Sequence, residues 1–305
     1  MKVIDYWCNA FTPDRQIIWE TAIAASGLKL KVRSGDDGFA DPNDMVERMN
    51  TLDITTLVIP TCDLPRDPDP TDFALFAARP DELERWATHH PSRFAAAWSV
   101  DPRAGMAGVR RAAAVLTAPW SVALHVHTHS FDRRFDHADY YPYYALAGEH
   151  GVPVIMQAGT SGGLMPSECG HPIGVDRPAI YFPDTTFVLS HTGWPWVDEA
   201  VAMALKFPNV YIGTAVYPQR HWPPVLKEFL RGPGHDKVMF GTGFPVAGHR
   251  HTLGQLNELD LPAETLECYL SGTARTVLRR LGIVDVTGND CKEAKPPSTG
   301  AQTTS

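Results

Sequence analysis

The chain has no stretch approaching the roughly 20 consecutive apolar residues a membrane-crossing helix needs. Its opening, Met1-Lys2-Val3-Ile4-Asp5, reaches an acidic residue at once, so no apolar signal segment is expected there. It has no cationic excess: 27 Lys and Arg stand against 35 Asp and Glu, for a formal charge of −8. No run of like charges appears either. Phosphate recognition relies on clustered Lys and Arg, so nucleic acid is a poor partner. Cysteine is sparse. The five (Cys8, Cys62, Cys169, Cys268 and Cys291) are odd in number, scattered and without paired spacing, which implies reduced thiols and a cytoplasmic protein. No internal repeat is present beyond an alternation of strand-like and helix-like segments.

What is present suits one large α/β domain. The 305 residues are 44% hydrophobic and 10% aromatic, enough to fill a core, and α/β barrels of about 250 residues are single domains. Short apolar runs recur at 2–6, 54–60, 93–100, 121–127, 152–158, 186–190, 209–215 and 236–241. Helical patterns separate them, including 72–90, 104–117, 139–150, 195–207 and 262–281. Eight strands with intervening helices predict a parallel (β/α)8 TIM barrel. Ile54-Thr55-Thr56-Leu57-Val58-Ile59 is a continuous β-branched run, as expected for a strand buried on both faces. Asp41 and Asp139 stand where helix caps are expected. The barrel domain is expected over 1–284. Within it, 10–40 is long for one strand-to-helix connection, is broken by Ser34-Gly35-Asp36-Asp37-Gly38, and reads as an inserted lid or wall. Residues 285–305 read as a disordered tail by composition.

The order of motifs resembles the amidohydrolase-related family (amidohydrolase 2, the aminocarboxymuconate-semialdehyde-decarboxylase-like group) over roughly residues 1–283. Val3-Ile4-Asp5-Tyr6-Trp7-Cys8-Asn9 is similar to that family's Ile-Asp-x-His-x-His opening, and Phe240-Gly241-Thr242-Gly243-Phe244-Pro245 to its Phe-Gly-Ser/Thr-Asp-Phe/Tyr-Pro. Val154 to Gly159 looks like the strand that ends in a ligand histidine. His90-Pro91-Ser92-Arg93-Phe94, Ser99-Val100-Asp101-Pro102 and Phe207 to Ile212 match the third and seventh strands. Ser271 to Arg275 resembles the closing helix, with Thr273 where Asn is common. The resemblance implies an amidohydrolase-like barrel that holds one divalent ion. Four of the implied ligand positions are changed, to Trp7, Asn9, Gln157 and Gly243. None of the four is a good ligand: the indole has no free lone pair, the amides are neutral and weak, and glycine has no side chain. Only His191, in Ser190-His191-Thr192-Gly193, survives from the central constellation. The expectation is therefore an enzyme with no metal and no cofactor.

His191 is the first candidate for chemistry, since imidazole both takes and gives protons near neutral pH. The second is Leu124-His125-Val126-His127-Thr128-His129. Strand side chains alternate, so all three histidines are expected on one face, and His127 matches a position often held by His in the family. These histidines read either as a substrate-binding cluster or, with His191, as a relocated metal site. Gly159-Thr160-Ser161-Gly162-Gly163 reads as a source of backbone N–H donors for an oxyanion, or as a plain flexible turn. Trp7, Tyr140, Tyr141, Tyr143, Tyr144, Trp194, Trp196, Tyr217 and Trp222 crowd the strand ends and suit a flat apolar substrate. His171, Arg220 and His221 are further loop candidates, and Asp5 reads as a framework residue low in the barrel.

The resulting assignment gives His191 and His127 catalytic roles. Trp7, Asn9, His125, His129, Gln157, Trp194, Gly243 and Arg220 take the substrate. The substrate is expected to be a small aromatic or conjugated acid or carbonyl compound, with neither nucleic acid nor membrane as partner and a homodimer as the assembly suggested by related barrels. Without a metal-bound hydroxide, amide hydrolysis loses most, whereas decarboxylation, elimination, isomerisation and cyclisation lose least. The alternatives are a non-catalytic ligand-binding scaffold and a hydrolase with a relocated metal.

Overall fold

The computed structural model describes residues 1–27, 32–62 and 76–281. Eight parallel strands run in the order β1 to β8. They are β1 Val3–Asp5, β2 Ile54–Thr61, β3 Phe94–Ser99, β4 Ser121–Val126, β5 Val154–Met156, β6 Phe187–Leu189, β7 Val210–Gly213 and β8 Val238–Met239. All eight coincide with the apolar runs of the sequence. The seam between β1 and β8 closes through loop backbone: Tyr6 N–H donates to Phe240 O (3.1 Å) and Gly243 N–H to Trp7 O (2.9 Å). Beyond these bonds lies a parallel bridge between Cys8 and Phe244. The architecture is the (β/α)8 barrel.

Strand alternation divides the core in two. Ile4, Tyr6, Val58, Ala95, Ala97, Val122, Ile155, Val188, Ala215 and Met239 fill the barrel interior. Val3, Leu57, Ile59, Phe94, Ala96, Leu124, Val126, Val154, Met156, Phe187, Leu189, Val210 and Ile212 face the surrounding helices. Tyr6 fills the interior on the β7–β8 side, where glycines make room for its ring. A Cβ on Gly213 or Gly241 would lie 2.2 or 2.4 Å from the Tyr6 ring, so both must be glycine for the tyrosine to fit. Ala274, Val277, Leu278 and Leu281 join the interior cluster from the chain's last described segment. Arg280 fastens that segment by donating to Leu116 O and His150 O, so it plugs the amino-terminal end of the barrel.

Several local expectations need correction. The helix expected over 262–281 runs from Ala263 to Val277 with one π turn at Cys268–Gly272, and ends four residues early in a short turn at Arg279–Leu281. Asp139 caps nothing. It lies in a tight turn before the helix Tyr141–His150, and its carboxylate pairs with Arg133 Nε at 2.9 Å. Asp41 does hold the N-cap position of Pro42–Thr51, although its side chain makes no capping bond. Segment 10–40 contains the helix Pro13–Ser26, and its tight turn at Gly35–Asp37 docks on the loop after β8: Asp37 accepts from the backbone N–H of Arg250 (3.1 Å) and of His251 (3.2 Å). Cys8 and Cys169 are buried free thiols. No helix among the described residues is long and apolar enough to cross a membrane. The expected tail, 285–305, lies outside the described residues.

Candidate active site

Barrel chemistry is placed by the loops that follow the strands, and four imidazoles gather there. His125 is on β4 itself. The strand ends at Val126, and His127 caps a one-turn helix, Thr128–Phe131, that carries His129. The strand alternation expected for the three histidines therefore fails after His125. Helical backbone nevertheless keeps them adjacent: ring centroids are 5.9 Å apart for His125–His127 and 5.5 Å for His127–His129. Each is already tied to the protein. Ser99 Oγ lies 2.7 Å from His125 Nδ1 and the Ser130 N–H donates to His127 Nδ1 at 3.2 Å. His129 Nε2 donates to Gly159 O at 3.0 Å.

His191 stands just past β6 with φ of 61°, followed by Thr192 at 58° and Gly193 at 75°. Two successive non-glycine residues in the left-handed region cost roughly 1–2 kcal/mol each. The fold bears that cost at His191 and Thr192, at the carboxyl end of β6. The ring is buried, and its Nδ1 has no hydrogen-bond partner. Burial, reinforced by His129, lowers the His191 pKa to about 3. Burial, reinforced by His191, does the same to His125, and burial also pulls His127 and His129 down. The resting site is an uncharged nest of imidazoles, and the near-neutral ionisation expected for His191 is displaced far into acid.

Trp7 packs against two of these rings and is part of what buries them. Its indole is buried, with its centroid 4.5 Å from His125 and 6.1 Å from His191. The remaining positions of the implied metal site are equally unsuited to an ion. Asn9 spends its amide on Phe244 O at 2.7 Å. Gly243 has φ of 63°, and a Cβ there would approach the Val216 backbone nitrogen to 2.7 Å. Gln157 is half-buried, and its side-chain amide makes no hydrogen bond among the described residues. One imidazole and one free amide remain, with an indole between the strands, and that donor set does not fit the family's ion. Nor do the histidines supply a substitute: among the described residues they form no group with metal-binding convergence.

The rim differs from expectation too. Trp194 is 44% exposed and packs on Tyr217, with centroids 5.7 Å apart. The glycine-rich loop is not an open donor cradle. Its Gly159 N–H goes to Gly170 O and Thr160 N–H to Trp194 O, while Ser161 and Gly163 N–H bond to Ser167 Oγ and Ser161 Oγ. Arg220 is exposed and bonded to His221 and Gln255, with no contact to the histidine nest. His171 packs against Trp196 with its ring tilted by 36° and pairs with Glu199 at 2.8 Å, away from the histidine nest. Tyr140, Tyr143 and Tyr144 are core.

Two further residues shape the site. Tyr6 lies inside the barrel and its hydroxyl is 2.7 Å from Ser190 Oγ, directly under the His191 turn. Its period-two relation to Ile4 marks it as inward-facing, but only the glycines on β7 and after β8 show that a tyrosine can fit. Asp5 is a framework residue, as expected, but it lies at the carboxyl end of β1 rather than low in the barrel. It accepts from Trp7 N–H (3.0 Å), Thr242 N–H (3.0 Å) and the Thr242 hydroxyl.

Comparison with known proteins agrees with this architecture. The amidohydrolase family model matches residues 22–280. No curated protein matches the chain by sequence. Among solved structures, an uncharacterised TIM-barrel protein from Bordetella bronchiseptica is 23% identical with a TM-score of 0.71, over 92% of this chain and 100% of that one. The 2,6-dihydroxybenzoate decarboxylase from Rhizobium is 13% identical with a TM-score of 0.63, over 92% and 99%. The 5-carboxyvanillate decarboxylase from Novosphingobium aromaticivorans, complexed with manganese and 4-hydroxy-3-methoxy-5-nitrobenzoic acid, is 14% identical with a TM-score of 0.65, over 91% and 96%. At such identities the likeness is one of fold.

Proposed function

This chain belongs to the amidohydrolase family, and we propose that it is a decarboxylase-like enzyme for a small aromatic or conjugated acid, working through His191 without an ion at the barrel mouth. The observation that carries the reading is the buried, uncharged His191 ring, its Nδ1 unpartnered, beside an indole that takes the ion's place. A structural histidine would have both nitrogens satisfied. Aromatic-acid decarboxylases among the structural neighbours point to the substrate class.

The chemistry follows from the electrostatics. Four neutral imidazoles in a dry site offer no fixed cation, so an incoming carboxylate is best accommodated by bringing a proton with it. A carboxylate placed beside His191 in low dielectric favours the imidazolium. The imidazolium then donates to the ring carbon that bears the carboxyl group. The carbon–carboxyl bond breaks, carbon dioxide leaves, and solvent reprotonates the histidine. An electron-rich ring stabilises the developing charge itself, which is why this reaction class suffers least without a metal. In the proposal, His127 and Gln157 orient the substrate's carbonyl or phenol group, Trp7 excludes water, and Trp194 with Tyr217 holds the ring at the rim.

The test is carbon dioxide release from a panel of hydroxybenzoates and conjugated keto acids, with equal turnover in the presence and absence of added manganese. Tight binding with no turnover of any bound acid, and no effect of His191→Ala, would establish a binding scaffold instead. Manganese-dependent turnover would sink the metal-free mechanism.

A further inference from the structure

A second set of polar side chains converges outside the histidine nest, at the seam where the barrel closes. Asp5 ends β1, Cys8 forms the parallel bridge to Phe244, and His249 opens the short helix His249–Leu253. One donor atom from each lies within 4.8 Å of the other two, and all three residues are buried. No other described group meets that condition. We propose that Asp5 Oδ2, Cys8 Sγ and His249 Nε2 form a zinc site that joins the first and last strands of the barrel.

His249 carries the argument. It is 0% exposed, yet neither ring nitrogen has a hydrogen-bond partner. Leaving two polar nitrogens dry and unpaired is costly, and an ion on Nε2 removes that cost at one of them. The Asp5 Oδ2 to His249 Nε2 separation is 3.3 Å. Charge-assisted hydrogen bonds are shorter, about 2.7–2.9 Å. By contrast, zinc bonds of about 2.0 Å in tetrahedral geometry place neighbouring N and O donors about 3.3 Å apart.

The surroundings fix the donors as an ion would require. Trp7 N–H, Thr242 N–H and the Thr242 hydroxyl orient the Asp5 carboxylate. The His249 ring lies parallel to Phe244, 5.5 Å away and inclined by 10°. These are the outer contacts that set ligand orientation at metal sites. The donor set selects the metal: one thiolate, one imidazole and one carboxylate suit zinc, whereas manganese and magnesium prefer oxygen. Carboxylate and thiolate together neutralise a dication, so the occupied site carries no net charge into the core.

Coordination forms the sulfur–zinc bond as the thiol proton leaves to solvent. Burial, with Asp5 adding to it, otherwise holds the Cys8 thiol protonated, well above its usual range. The seam is sealed, so the ion enters before the barrel closes and then exchanges slowly.

The test uses full-length protein made in medium supplemented with zinc or cobalt(II), then passed over a chelating resin. Elemental analysis is expected to find about one ion per chain, as for a structural site. The cobalt form is expected to show thiolate-to-metal charge-transfer absorption that vanishes in Cys8→Ser and persists in Cys169→Ser. His249→Gln is expected to lower retained zinc more than tenfold. Should Cys8→Ser not fold, the cobalt spectrum of the unaltered protein still reports whether sulfur is bound. Less than about a tenth of an ion per chain, or absorption unaffected by Cys8→Ser, would overturn the site. The outcome is separable from the mechanism at the mouth. His191→Ala is expected to keep its zinc; if zinc were lost there and kept in Cys8→Ser and His249→Gln, the ion would belong to the mouth, and both readings would fall. If no ion bound anywhere, the seam site alone would fall.

Discussion

Trp7 and His125 meet across the barrel: one follows β1, the other lies on β4, and their rings are 4.5 Å apart and tilted by 59°. The indole thus works as a crossbar. It occupies the space an ion would need and at the same time dries the imidazoles. Trp7→Ala is expected to admit water and to move the His125 and His191 pKa values up from about 3 toward the ordinary histidine range. Histidine titration by NMR checks it. The same change should destabilise the fold by about 3–5 kcal/mol, the usual cost of removing a buried large aromatic.

His191→Ala is expected to lower kcat by about 10²–10⁴-fold, the range for losing a general acid or base. His191→Asn should be nearly as damaging, because an amide cannot carry a proton through the cycle. KM should move much less in both, since Trp194 and Tyr217 still hold the ring. Unchanged kcat in both variants would transfer the role to His127.

The pH dependence has a defined sign. With the His191 pKa lowered to about 3 in the free protein, kcat/KM should show no histidine ionisation between about pH 5 and 8. Binding an aromatic acid should instead take up a proton, seen as a binding enthalpy that varies with the ionisation enthalpy of the buffer. A neutral-pH inflection in kcat/KM that disappears in His191→Ala would contradict this.

Stability should also follow these histidines. Both are neutral in the folded state down to about 3 and near 6.5 when unfolded. Between those values the unfolded chain binds more protons, so stability is complete above about pH 6.5 and falls as the pH drops toward 3. Thermal melts from pH 7 to 4 should show the decline, and a His125→Asn, His191→Asn double variant should show less of it.

Gly243→Asp, which restores the family's carboxylate, is expected to create no metal site and to destabilise the protein. The backbone is left-handed there and a Cβ meets Val216. Gly243→Ala should cost a similar amount, roughly 1–3 kcal/mol, which separates backbone strain and overpacking from charge. Calorimetry of the two variants decides it. A stable Gly243→Asp with tight manganese binding would show that the old position can be rebuilt.

The barrel was legible because its strands are buried on both faces: runs such as Ile54–Ile59 cannot be amphipathic helices or loops. The residue types at Trp7, Asn9, Gln157 and Gly243 could be read directly, and the structure brings Trp7 and His191 together. What could not be read was where strands stop. His127 and His129 continue the alternation of β4 in sequence, but nothing local states that Val126 is the last ladder residue, so they were placed on a strand they have left. The donors of Gly159–Gly163 looked free because their acceptors, such as Gly170 O and Trp194 O, are distant in sequence. Asp139 resembled a cap until Arg133 claimed it. His249 gave no signal at all. Its meaning depends on Asp5, 244 positions earlier by residue number, across a seam that exists only once the barrel is closed.

That seam has a consequence for how the chain is made. Of the eight barrel strands, β1 is made before its partner β8 by the whole length of the sheet, and the segment from Ala274 to Leu281 that plugs the barrel floor follows β8. Throughout synthesis of the intervening two hundred-odd residues, β1 has only β2 to pair with. Its other edge, and the interior surface of every finished strand, stay uncovered. Such edges invite pairing with other chains. Removing the segment from Ala274 to Leu281 should therefore leave the eight strands in place but uncover the interior apolar cluster at the amino-terminal end, where Ile4, Val122 and Ile155 would face water.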